Sequence, residues 1–131
     1  MMKFYVSPRR RARMARLADA RSTAVHIPVD VIAEDDAFEL TAYVPGVSAD
    51  ELEIEVLDDT VYIAGEFAAD EDEDVSYLLR ERPRGSFSRT LRLPSALDAD
   101  GAQAEVKDGI LNLHVPVAEQ AKTKKIAVKS N

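Results

Sequence analysis

The tightest constraint on this chain is the stretch A-E-V-K-D-G-I-L-N-L at residues 104–113. An Asp-Gly pair between alternating apolar residues marks a two-residue hairpin. The type I′ turn it favours needs φ > 0 at both central positions, and glycine adopts that conformation without a steric penalty. With Asp108 and Gly109 as the loop, Lys107 faces Ile110, Val106 faces Leu111, Ala104 faces Leu113 and Ala102 faces Val115. From Val106 outward, every pair on that face is apolar against apolar. A one-residue slip would set Glu105 against Leu111 or Leu113, so the register is strongly specified. A ribbon with one apolar face needs a second layer to cover it.

The rest of the body supplies strands for that layer. Leu52, Ile54 and Val56 alternate with Glu51, Glu53 and Glu55, which predicts apolar side chains inward and acids outward. Asp58 and Asp59 turn the chain back, setting Val56 against Val61 and Ile54 against Ile63. Phe38, Leu40, Ala42 and Val44 form another alternating run, ended by Pro45-Gly46. Val29, Val31 and Ala33 make a modest strand before it. Phe87, Arg89, Leu91 and Leu93 share a face, with Ser88, Thr90 and Arg92 on the other and Pro94 closing the strand. No body segment after Ala24 has a helical period. The expected fold is all-β, an antiparallel immunoglobulin-like β-sandwich.

Two segments have no place in that sandwich. Residues 67–84 are too long for an ordinary loop. They carry five consecutive acids at 70–74, and Val75, Tyr77 and Leu79 sit at strand-like spacing. The acidic run lacks the glycine and spaced ligands of a calcium loop and reads as a solubilising segment. Near the C-terminus, Ile126 and Val128 are spaced i, i+2 and flanked by lysines. Extended, both point one way, as knobs for a sheet edge or a groove on another copy.

Charge divides the chain. The net charge is −7, yet residues 1–23 hold seven basic residues against one acid, a net of +6, leaving −13 on the remainder. The basic arm suits an anionic ligand, the acidic bodies of neighbouring copies, or solvent. Residues 9–20 are good helix formers on a weakly apolar face, which predicts a short helix ordered by a partner. The chain divides into an arm at 1–27, a sandwich at 28–117 and an extension at 118–131.

Chemistry finds no centre. Cysteine is absent, and the two histidines, His26 and His114, lie outside any recognisable motif. Ser86 and Ser88 flank Phe87 with no nucleophile elbow, and the carboxylates alternate or cluster rather than converge. No enzyme activity, cofactor or metal is expected. The body has no basic groove with stacking aromatics, so nucleic acid is not an expected partner. No apolar run is long enough for stable membrane insertion, and the arginine-rich start lacks a secretory signal. A cytoplasmic location is the default.

In order, the pieces Pro28-Val29-Asp30-Val31-Ile32, Val44-Pro45-Gly46-Val47, Leu52-Glu53-Ile54-Glu55-Val56 and Val61-Tyr62-Ile63-Ala64-Gly65-Glu66 form a recognisable set. It continues with Glu81-Arg82, Gly85-Ser86-Phe87-Ser88-Arg89, Leu93-Pro94, the Ala-x-x-x-Asp-Gly-Ile-Leu hairpin and Ile126-Ala127-Val128. This pattern resembles the small heat-shock proteins, the α-crystallin domain family. The resemblance implies an ATP-independent stress-response chaperone, a holdase that keeps partly unfolded clients from aggregating and leaves refolding to ATP-driven chaperones.

It also implies an assembly. Dimers would swap a strand carrying Val75, Tyr77, Leu79 and Arg82. The tail knobs Ile126 and Val128 would fill a groove formed by Leu52, Ile54, Val56, Ala102, Ala104 and Val106 of another dimer. The arm, through Phe4, Tyr5, Val6, Met14 and Leu17, would contact clients and help build the larger homo-oligomer. Val128 stands where the family most often has Ile. Glu51, Glu53, Glu55 and the acidic run would keep the assembly soluble. The alternative is a β-sandwich interaction module or co-chaperone that binds a single folded partner and is monomeric. A nucleic-acid protein using the arm would bind with steep salt dependence.

Overall fold

The computed structural model describes residues 2–3, 25–67 and 74–130. The strands are β1 (Met2–Lys3), β2 (Val29–Ala33), β3 (Ala37–Tyr43), β4 (Glu53–Leu57), β5 (Thr60–Phe67), β6 (Gly85–Arg92), β7 (Gln103–Lys107) and β8 (Ile110–Pro116). They form one sheet in the order β1-β7-β8-β3-β2 and a second in the order β4-β5-β6. All pairings between strands are antiparallel. The sandwich expected from the alternation is the architecture observed.

Both predicted hairpins form in the predicted register over their central pairs. Val106 pairs with Leu111 and Ala104 with Leu113. Asp108 and Gly109 have φ of 54° and 76°, the sign pattern of a type I′ turn. Ile54 pairs with Ile63 and Val56 with Val61. The expected pairing of Ala102 with Val115 is not made, because the β7 ladder starts at Gln103. The Ala102 amide instead donates to the Ala99 carbonyl at 3.3 Å. The turn before it is held by the Asp98 carboxylate, which accepts from the amides of Asp100 and Gly101 at 3.1 and 3.3 Å. A local Asx-type turn has won over one more rung of ladder.

The core lies between the sheets. Leu40, Val44, Ile54, Val61, Ile63, Phe87, Leu111, Leu113 and Val115 are all buried in one cluster. Each such side chain contributes roughly 1.5–3 kcal/mol by leaving water. Gly65 lies opposite Phe87 across β5 and β6. A Cβ on Gly65 would stand 2.5 Å from the Phe87 Cζ, so the missing side chain is what admits the ring. The ring also packs against Phe67 at a tilt of 42°, with centroids 4.8 Å apart.

One flank is tied by the lead into β2. The Val25 amide donates to the Ser86 carbonyl at 2.9 Å, and Arg89 Nη1 donates to the Ile27 carbonyl at 2.6 Å. Arg89 Nη1 also lies 3.2 Å from His26 Nε2. β6 and β2 therefore share a flank, which leaves β4 and β7 at the other.

The expectation that Glu51, Glu53 and Glu55 all face water needs correction. Glu51 is exposed and Glu53 half-buried, but Glu55 is 0% exposed. It lies opposite Tyr62, itself 1% exposed, and Tyr62 lies opposite Thr90. Alternation tells which face of a sheet a side chain takes. It does not tell whether that face meets solvent.

Candidate functional site

The features available for function are edges and exposed apolar side chains. β2 ends the larger sheet, and β4 and β6 end the smaller one. An edge strand presents unpaired backbone groups that invite another strand. On and beside the β2 edge, Val31, Ile32 and Tyr43 expose their side chains.

The expected swap residues lie together in an irregular segment. Val75, Tyr77 and Leu79 are exposed, and Leu78 between them is fully so. They form no strand within the chain. A five-residue segment with no neighbouring strand to pair with gains nothing from an isolated extended conformation. The Arg80 guanidinium sits over the Tyr77 ring, 4.5 Å from its centroid. Arg82 and Pro83 line a shallow surface pocket with Pro45, Gly46 and Phe67.

The expected tail knobs are bare. Ile126 is 87% and Val128 is 94% exposed. The residues expected to receive them sit at the β4 and β7 flank. Leu52, Ile54, Val56, Ala102 and Ala104 are buried in the main cluster, and Val106 packs against it half-buried. The outer edge of β7 carries β1, with Met2 opposite Ala104 and Lys3 opposite Gln103. A two-residue pairing leaves no periodic signal, so nothing in the sequence announces it. The expected client contacts Phe4, Tyr5, Val6, Met14 and Leu17, with the arm helix at 9–20, lie outside the described residues. So do residues 70–73 of the acidic run.

The charged side chains of the body pair locally. Arg92 Nε donates to Asp59 Oδ2 at 2.9 Å, and the Thr60 hydroxyl donates to Asp59 Oδ1 at 3.0 Å. The Arg92 hydrogen bond, helped by Thr60, holds the Asp59 carboxyl below its ordinary value. Lys122 pairs with Glu119 at 3.0 Å, and that hydrogen bond raises the lysine. His114 Nδ1 pairs with Glu39 across β8 and β3. None of these groups converges on a common point. Among the described residues, no helix is long and apolar enough to cross a membrane.

The chain is similar in sequence and fold to known proteins. A sequence profile of the Hsp20/alpha crystallin family matches residues 30–129. The "18 kDa antigen 1" of Mycobacterium intracellulare is 42% identical over 102 residues, which cover 78% of this chain and 68% of that protein. The structure of heat shock protein 16.0 from Schizosaccharomyces pombe superposes with a TM-score of 0.66 at 30% identity, covering 80% of this chain and 99% of that one. A small heat-shock protein from Xylella fastidiosa, whose crystal structure "reveals a distinct high order structure", matches with a TM-score of 0.66 at 28% identity over 82% of this chain and 100% of that one. Since the family profile spans most of the sandwich and the tail, and the fold superposes on solved small heat-shock proteins, the chain belongs to the Hsp20/alpha crystallin family of small heat-shock chaperones.

Proposed function

We propose that this chain is an ATP-independent holdase that works as a homo-oligomer of strand-swapped dimers in the cytoplasm. The observation that carries the reading is the coexistence of an open edge with exposed apolar segments of matching size. β2 is five residues long at the end of the larger sheet, and residues 75–79 are five residues with four exposed apolar side chains. Laid along β2 of a second copy, 75–79 would satisfy that edge and cover Val31 or Ile32. Arg82 would follow at the dimer seam.

The tail supports a second level of assembly. Ile126 and Val128 are bare on their own chain. Docked at the β4 and β7 flank of another dimer, beside Leu52, Ile54, Val56, Ala102, Ala104 and Val106, they would leave water. Each of these contacts is small, so each is reversible. Reversible contacts suit a holdase, because dissociation re-exposes apolar surface for clients. The arm at 1–27, through Phe4, Tyr5, Val6, Met14 and Leu17, would add to that surface. Held clients would pass to ATP-driven chaperones. The sandwich at 28–117 is the scaffold, and 118–131 is the connecting extension.

The test is heat-induced aggregation of a client enzyme followed by light scattering, without nucleotide. The expected result is suppression at near-stoichiometric ratios. No suppression, with the chain monomeric, would favour a module that binds one folded partner.

A further inference from the structure

The β4 and β7 flank is already in use. In a two-residue hairpin the residues next to the loop exchange both backbone hydrogen bonds, and bonded positions alternate from there. Lys107, Glu105 and Gln103 therefore turn their backbone groups toward β8. Ala104 and Val106 turn theirs to the outer edge. The pairing of β1 puts Met2 opposite Ala104, one of these two outward positions. Ala104 is also one of the residues expected to receive the tail. On the same chain the tail knobs stand 87% and 94% exposed.

We infer that Met2–Lys3 and the 126–128 tail are alternative occupants of the outer edge of β7. The chain's own N-terminal strand caps the edge, and the tail of another subunit must displace it. This inference rests on the tail-docking reading above. Two residues of pairing make a weak strand, but the tether gives it a high effective concentration. A tail binding only the uncapped fraction has its affinity reduced by that fraction. The cap thus protects an otherwise open edge in an unassembled subunit and yields when tails are plentiful. It also couples the arm to assembly, since tail docking frees the N-terminus from the body.

The experiment measures binding of a fluorescent peptide spanning residues 122–130. The receptor is the full chain carrying Ile126→Ala and Val128→Ala, so that its own tails do not compete. It is compared with the same chain lacking residues 2–3 and with a Met2→Pro version, which removes the amide opposite Ala104. Both changes are expected to tighten binding roughly threefold or more. A peptide with both knobs changed to alanine is expected not to bind. Equal affinity for all three receptors overturns the competition and leaves tail docking standing. Weaker binding after either change overturns it too, since β1 would then build the site. Binding to none of the receptors overturns both readings.

Discussion

Two glycines carry much of the geometry. Gly65→Ala places a Cβ 2.5 Å from the Phe87 ring at the centre of the smaller sheet. The ring is 1% exposed and has nowhere to retreat. Denaturant unfolding is expected to show a loss of about 1–3 kcal/mol, typical of overpacking. Gly109→Ala combines a φ of 76° with a Cβ 3.2 Å from Pro45 Cα. The left-handed backbone alone costs roughly 1–2 kcal/mol, and the contact adds to it. Gly46→Ala, at φ 80° with no atom near, should show the backbone part alone. The Asp59–Arg92 pair has a pH signature. The folded carboxyl lies below its ordinary 3.8, so its contribution is complete above that value and is lost as pH falls through the folded value. The stability difference between the native chain and Arg92→Ala is therefore expected at neutral pH and should shrink in titrations below about pH 4. Residue identity made Gly109 legible in advance, because Asp-Gly is a turn signal on its own. Glu55 was not legible. Its alternation placed it correctly on the outer face, but the cover on that face is a tertiary fact.

At the scale of elements, the strands were readable because period-two patterning and turn residues agree. Each central pair of the two hairpins followed from matching apolar side chains across the ribbon. The missed rung at Ala102 reflects a competitor that patterning does not see, the Asp98 carboxylate capturing two amides. β1 was illegible because two residues carry no period. The segment at 75–79 had strand-like spacing but forms no strand on its own chain. If its partner is β2 of a second copy, deleting residues 70–79 should yield monomers whose far-ultraviolet circular dichroism keeps the β-sandwich signature. Val75→Asp, which sets a charge in the swapped strand, should also shift the dimer equilibrium toward monomer in sedimentation. A deletion variant that stays dimeric would show that the dimer is built elsewhere.

For the whole molecule, the proposed function treats the sandwich as a scaffold and assigns assembly to what it leaves uncovered. The net negative charge of the body opposes association of copies, and in the proposed assembly the open β2 edge, residues 75–79 and the tail knobs would offset it. Because those contacts are short, subunit exchange between labelled oligomers should accelerate steeply with temperature. The most direct test of this account is the native mass of the full chain measured beside a chain lacking residues 126–128. The account predicts an assembly of several dimers for the full chain and single dimers for the shortened one. A full chain that runs as a monomer at working concentration, or two chains with the same subunit number, would contradict it.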